Sequence, residues 1–546
     1  MTGDVHGKLF DSTYTGQALQ PSLQNVSYYV DSIRNAEGEE NVLLLDIGDC
    51  LQGDNSVYYY NFVDTLSPHI VPRMMSYMRY DAWIVGNHDI EAGHSVFDRV
   101  TRELDDCSIV TLAGNTPLQK GNGSYFNEYC IFKKAGLKVL LLGYTNANIS
   151  NWVPDEASSG MDFESVVKAA GRSVNALRKR YRPDVVVLAM HSGTGAGDGT
   201  SLENEALDVM NAIQGIDVVV GAHDHSPYIQ NNGKVCFLNS GSKAANLGNC
   251  LVSVRKRLNR KVSVELDAAN IRVSKDKVNP EMLDFFHDDY LKVKDFTLRP
   301  VGQLQCLLAS RDAYAGMNNY ENLVNTVQLQ TTGADISFCA PLSFNGKVCP
   351  GQVVFNDMFT IYPYENSLFK INLTGRQVKD YLEYSYDMWV GGGNGTVLNI
   401  AEKADKRTGS QRWSFVDRHY NFDSAAGLVY EVYPLNEKGK RVIIRSMADG
   451  SAFDESAVYT VALNSYRASG GGKHLVEGAG ISPDSLDSLV QGRFGEIRNL
   501  IYDYFCTHTT ITADDINDPS LLGSWSFEPA AVRQKIAAEL DQVFNY

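Results

Sequence analysis

In the first half of the chain, hydrophobic positions gather into short unbroken runs, each closed by a polar residue near glycine. Residues 41–49 read NVLLLDIGD, 81–93 read DAWIVGNHDIEAG, 184–190 read DVVVLAM before His191, and 217–220 read DVVV before Gly221-Ala222-His223-Asp224-His225. Residues 137–144 form a further apolar run, without such a polar close. Runs without alternation belong to strands covered on both faces. Between them, residues 22–35 and 161–181 have helical spacing. In the second of these Phe163, Val166, Val167, Ala170, Val174 and Leu177 form the apolar stripe, and Pro183 stops the helix. The pattern predicts an α/β first half with polar residues at the carboxyl ends of its strands, where open α/β folds place ligands.

Those ends carry candidate chemistry. Asp4 and His6 stand two apart, as do His223 and His225. In extended backbone, residues two apart project to one side, so each pair can share an ion. Gly86 breaks a strand ahead of Asn87, His88 and Asp89, which offer a neutral oxygen, an imidazole and a carboxylate. That set suits a metal and a reacting phosphate, and it also suits a polar turn capping the next helix. Each histidine alone reads more readily as a structural or surface residue than as a ligand. Five strand-like segments all closing in Asp, Asn or His is the joint pattern that random placement does not produce.

The second half repeats none of this. Residues 280–294, PEMLDFFHDDYLKVK, have helical periodicity and mixed charge. They predict a connecting helix at 276–300 between a domain at 1–275 and one at 301–546. Beyond it, residues 362–366 (YPYEN) interrupt strand-like sequence, and in 458–472 (VYTVALNSYRASGGG) Tyr466 leaves a strand ahead of three glycines. These tyrosines suit either a core or a platform for a flat ligand. Residues 528–544 predict an amphipathic helix.

Composition narrows the function classes. A chain of 546 residues calls for two cores, and 44% hydrophobic with 21% charged residues is ordinary for a globular protein. The net charge of −16 argues against sequence-independent binding of polymeric nucleic acid. Small anionic substrates stay open, because bound metal ions reverse the sign locally. No run reaches the ~18 apolar residues of a membrane span. The nine cysteines contain no Cys-x-x-Cys pair and read mostly as small buried apolar residues.

Taken together, Asp4-Val-His6, Gly48-Asp49, Gly86-Asn87-His88-Asp89, His191 and Gly221-Ala222-His223-Asp224-His225 resemble, in order and spacing, the five blocks of the calcineurin-like metallophosphoesterases. The resemblance implies a metallophosphatase β-sandwich flanked by helices, binding two divalent ions. By motif, Asp4, His6 and His225 would serve the first ion, Asn87, His191 and His223 the second, and Asp49 both. His88 would be the catalytic histidine beside the scissile phosphate. It needs a carboxylate to orient it; Glu91 and Asp89 are the two candidates. Oxygen and imidazole donors without thiolate suit Mn, Zn, Co or Fe. The second-half blocks resemble the carboxyl-terminal α/β nucleotide-binding domain of 5′-nucleotidases and 2′,3′-cyclic-nucleotide phosphodiesterases. There Tyr364 and Tyr466 would sandwich the base, and Asn366 would match the Asn of the Pro-aromatic-x-Asn block. The family's Gly-rich Arg block is replaced, with Phe344 at the Arg position. Gly472 stands where the 5′-nucleotidase branch has Asp, and Arg467 would pair with a phosphate or point to solvent.

The expectation is therefore an exported, monomeric α/β (α+β) enzyme with its site between two mobile domains. It would hydrolyse small nucleotides through a metal-activated water attacking phosphorus, with 2′,3′-cyclic and 3′-nucleotides preferred. A 5′-nucleotidase or nucleotide-sugar hydrolase, and a non-catalytic surface-binding protein on a phosphatase scaffold, are the alternatives. The family's first strand precedes the Asp-x-His block, and only Met1, Thr2 and Gly3 stand there. A longer natural product, with an export signal and most of that strand upstream, is expected.

Overall fold

The computed structural model describes residues 1–544 apart from 17, 154–155, 258–259, 365, 393–394 and 405–410. The chain forms two compact units, Met1–Thr297 and Leu298–Tyr546.

The first unit contains β1 (Leu45–Asp46), β2 (Ala82–Ile84), β3 (Val110–Leu112), β4 (Tyr129–Lys134), β5 (Leu137–Tyr144), β6 (Val185–Met190), β7 (Val218–Gly221), β8 (Tyr228–Asn231), β9 (Cys236–Asn239), β10 (Asn246–Arg257) and β11 (Arg260–Arg272). Strands β1-β2-β3 form a parallel sheet. A six-stranded sheet runs β4-β5-β6-β7-β9-β8, parallel through β5, β6, β7 and β9 and antiparallel at both edges.

Side-chain alternation divides the buried residues between two layers. Val139, Leu141, Val187 and Val220 meet Leu45, Ile47, Ile84 and Leu112 in the space between the sheets. Leu140, Leu142, Val186, Leu188 and Val219 face outward under helices Val166–Tyr181 and Ala206–Ala212. The outward side of the smaller sheet, at Trp83 and Val85, is covered by helices Leu23–Glu37, Ile70–Tyr77 and His94–Asp106. Burial on both faces is why these strands read as continuous apolar runs, and the sandwich flanked by helices is the architecture expected. β1, Leu45–Asp46, is shorter than the apolar run around it, which follows a 3₁₀ turn at Glu39–Asn41. Thr2 bridges Asp46 in parallel, beside β1.

The expected connecting helix at 276–300 is two helices, Pro280–Phe285 and His287–Thr297. Met282, Phe286 and Val293 are fully buried in the first unit's core. Asp289 receives the Arg73 guanidinium at 2.6 Å and the Tyr60 hydroxyl at 2.6 Å.

In the second unit a five-stranded sheet runs Ser424–Ala426, Ile336–Cys339, Val458–Asn464, Ser367–Thr374, Val490–Glu496. The tail belongs to this unit's core. Gly523–Phe527 pairs in parallel with Leu428–Val432, and helix Ala530–Phe544 buries Val532, Ile536, Leu540 and Val543. Of the nine cysteines, all free, only Cys50, Cys236, Cys306 and Cys339 are buried, so the apolar reading holds for a minority.

Candidate metal centre and aromatic surface

The strand ends converge through unusual backbone. Asp4, His6, Asp49, His223 and His225 all have left-handed φ, at 50°, 48°, 57°, 81° and 57°. Such strain in non-glycine residues gathers where a structure must aim side chains. Two glycines let the strands come close enough. A Cβ on Gly86 would lie 2.2 Å from Asp49 Oδ1, and one on Gly48 would lie 2.6 Å from the Gly86 nitrogen.

Two groups of donors result, Asp4 with His6 and His225, and Asp49 with His191 and His223; within each, the ligand atoms lie within 4.8 Å of one another. His6 Nε2 and His225 Nε2 face each other at 2.9 Å. His191 Nδ1 donates to the Ile47 carbonyl at 2.5 Å, which turns Nε2 toward the carboxylates, 3.1 Å from Asp49 Oδ2 and 3.8 Å from Asp4 Oδ1. Asn87 Oδ1 lies 2.9 Å from His223 Nδ1.

The electrostatics of this cluster are unbalanced. Burial raises the Asp4 carboxyl well above its ordinary range, with the Asp49 charge adding to the shift against His191. Burial acts on Asp49 in the same sense, but the His191 and His88 imidazoles outweigh it and hold that carboxyl well below its usual range. Burial lowers His6, and it holds His225 down to about 4. Asp4 Oδ1 and His191 Nε2 are buried without a hydrogen-bond partner. Orphaned acceptors and converging imidazole nitrogens fit a divalent cation with oxygen and nitrogen donors.

The segment after Gly86 is a short helix, Asn87–Glu91, rather than an open turn. Residues three apart on a helix meet, and His88 Nδ1 lies 2.5 Å from Glu91 Oε2. Asp89, the other candidate, is turned the opposite way. Its buried carboxylate accepts from the backbone N–H groups of Gly86, Asp49, Cys50 and Leu51 at 2.8–3.0 Å. It fixes the two strand ends against each other and does not orient His88. The His88 N–H donates to Asp49 Oδ1 at 2.9 Å, which ties the histidine's backbone to the metal cluster.

In the second unit Tyr364 and Tyr466 are each 38% exposed. A third ring, Tyr420, which no sequence motif singled out, packs edge-on to Tyr364 with centroids 6.4 Å apart. Burial, with the neighbouring Tyr420 and Tyr466 hydroxyls, pushes the Tyr364 phenol up to about 12. Asn366 uses its carbonyl to accept from the Ile497 N–H at 3.0 Å and its amide to reach Tyr362. Phe344 packs against His419, Phe415 and Phe544.

Arg467 neither meets solvent nor awaits a phosphate. It is 2% exposed and donates from Nε and Nη2 to both Asp423 carboxylate oxygens at 2.9 Å. It also donates to the carbonyls of Tyr420 at 2.6 Å and Gly471 at 3.1 Å. Asp423 and Tyr420 lie more than forty residues away in sequence, so no local pattern announces them. Gly472 has φ +68°, and a Cβ there would lie 2.4 Å from Arg467 Nη1. Backbone conformation and the guanidinium account for that glycine.

Comparison with known proteins agrees with both units. Residues 1–227 match the calcineurin-like phosphoesterase family, and residues 300–477 match the 5′-nucleotidase C-terminal domain. The trifunctional nucleotide phosphoesterase protein YfkN of Bacillus subtilis is 23% identical over 97% of this chain, which spans 39% of that protein's length. The 2′,3′-cyclic-nucleotide 2′-phosphodiesterase/3′-nucleotidase of Haemophilus influenzae is 22% identical over 98% of this chain and 88% of its own. A Staphylococcus aureus protein solved in complex with alpha-ketoglutarate shares the fold, with a TM-score of 0.78 at 20% identity, over 97% of this chain and 99% of that one.

Proposed function

We infer that this chain, which belongs to the calcineurin-like phosphoesterases and carries a 5′-nucleotidase C-terminal domain, hydrolyses phosphate esters of nucleotides in a metal-dependent reaction. The observation that carries the reading is the convergence of Asp4, His6 and His225 with Asp49, His191 and His223, beside the His88–Glu91 pair. Asn87 completes the second group. The ions are two, drawn from Mn, Zn, Co or Fe; when bound they supply a polarised phosphate and an activated water.

The chain's own residues do the rest. Asp49 would serve both ions: one oxygen faces His191, and its charge acts on Asp4 and His6 of the first group. His88, with its Nδ1 proton held by Glu91, presents Nε2 to the phosphate or the leaving oxygen. Tyr364, Tyr420 and Tyr466 offer flat faces to a nucleobase, and base stacking is tolerant of sequence. Arg467 shapes that surface without touching substrate. The preferred substrates are 2′,3′-cyclic and 3′-nucleotides, since position 472 carries no carboxylate to meet the ribose hydroxyls or to repel a phosphate on them. A 5′-nucleotidase is the second reading, favoured by the carboxyl-terminal family match. The protein acts on small nucleotides as an exported monomer, and no helix among the described residues is long and apolar enough to cross a membrane.

The experiment is a substrate panel with and without metal. Activity falls away after chelation and returns with Mn, Co or Zn, and 2′,3′-cyclic AMP is cut faster than AMP. Full activity in protein shown by metal analysis to be metal-free would overturn the metal reading. A tenfold preference for AMP would overturn the cyclic one alone.

A further inference from the structure

His223 is gripped on sides that no strand-end motif announces. Its Nε2 lies 3.0 Å from Glu203 Oε1, and its ring stacks on Trp152 with centroids 5.3 Å apart and planes 16° from parallel. The opposite ring nitrogen, Nδ1, is the one beside Asn87 Oδ1. A carboxylate only accepts, so Glu203 holds a proton on Nε2, and Nδ1 is the nitrogen left to share an ion with the Asn87 oxygen.

Glu203 reaches this position through the glycine-rich run after His191. Its carbonyl accepts from Ser192 Oγ at 2.9 Å and from Asn146 Nδ2 at 3.0 Å, which pins the returning strand of the loop. The return is too close for side chains. A Cβ on Gly193 would lie 1.9 Å from Asn204 Oδ1, and one on Gly195 would lie 2.1 Å from the Asn204 carbonyl. The sequence His191-Ser-Gly-Thr-Gly thus places one ligand and, by folding back, the carboxylate that orients another. Trp152 arrives separately, its N–H closing a 3₁₀ turn on the Ile149 carbonyl at 2.8 Å.

We propose that Glu203 and Trp152 are positioning residues for the second ion, the carboxylate holding the proton on His223 Nε2 and the indole fixing its ring plane, so that Nδ1 faces the Asn87 oxygen of the second group. This rests on the metal reading above, and the test separates the two. Full-length protein is stripped of metal, and binding of Mn and Zn is measured by calorimetry and by metal content after dialysis. Wild type takes up two ions. Glu203→Ala weakens one of them about 10–100-fold, the scale of lost second-sphere partners, and leaves the other unchanged. Glu203→Gln keeps an acceptor of the same shape and loses less. Trp152 also gives a spectroscopic readout: cobalt quenches wild-type fluorescence, and Trp152→Phe removes most of that quenching. Equal thermal stability of the metal-free forms shows that Glu203→Ala acts on the ion rather than on folding. Two ions bound with unchanged affinity in Glu203→Ala would overturn the proposal and spare the metal reading. No ion bound by wild type would overturn both.

Discussion

At the scale of single residues, the two carboxylates after His88 show how one helical turn separates two tasks. Glu91 lies one turn on, within hydrogen-bonding distance of Nδ1, whereas Asp89 points back and satisfies four buried backbone N–H groups. Glu91→Gln should lower kcat about 10–100-fold, as loss of an orienting carboxylate does, with thermal stability unchanged. Asp89→Ala should do the reverse first, costing about 3 kcal/mol or more because it leaves several buried donors unpaired. Steady-state rates and melting curves on both variants check this, and a Glu91→Gln enzyme with wild-type kcat would show that His88 needs no partner. Most of the metal-ligand candidates stood out because they close an apolar run near glycine; Asp4 and His6 stood out only by their spacing. Arg467 was not. Its carboxylate partner Asp423 and its hold on the Tyr420 carbonyl depend on a long-range pairing that sequence spacing cannot encode.

At the scale of elements, the apolar runs announced the inner strands because burial on two faces erases alternation. The segment at 87–91 was harder to read, since five residues are too few for a helical period. The helical spacing from residue 22 did not name its cap: Ser22 accepts from the Asn25 N–H at the start of helix Leu23–Glu37. His69 was not legible as a cap. It begins helix Ile70–Tyr77 with Nδ1 accepting from the Val71 N–H at 3.2 Å, while Nε2 donates to Asn61 Oδ1 at 2.9 Å. The Val71 bond requires the neutral ring, because a protonated Nδ1 cannot accept. Burial and the Arg99 guanidinium hold His69 down to about 3, below its ordinary 6.5. A depressed folded value means the unfolded chain takes up the proton first. The contribution of His69 is therefore whole above about pH 6.5 and is lost as pH falls toward 3. By pH 5 the loss amounts to about 2 kcal/mol. His69→Asn keeps a capping oxygen without the titration. Its melting temperature should fall less steeply than that of wild type between pH 7 and 5, and parallel slopes would count against the assignment.

At the scale of the whole molecule, chain length called for two cores, and the periodicity of residues 280–294 suggested a passage there between them. What periodicity could not say is which core that passage belongs to, because a helix with a modest apolar stripe serves equally as a spacer or as part of a wall. Met282, Phe286 and Val293 are fully buried in the first unit, and Asp289 binds Arg73 there. Three buried side chains of this size contribute about 5–9 kcal/mol, comparable with the ~5–15 kcal/mol by which whole domains are stable. The functional first unit should therefore end after Thr297 and not at residue 275. A fragment of residues 1–297 should fold, bind divalent metal and hydrolyse a chromogenic phosphodiester that lacks a base. Residues 1–275 should be insoluble or melt without a cooperative transition. The longer fragment has no Tyr364, Tyr420 or Tyr466, so its affinity for nucleotides should drop by about 1–3 kcal/mol for the stacking of a base, with the base-free ester much less affected. Circular dichroism melts, metal content and KM for the two substrate types decide it. A stable, metal-loaded 1–275 would show that the two helices are a spacer. A 1–297 fragment that keeps the full chain's KM for nucleotides would move base recognition out of the second unit altogether.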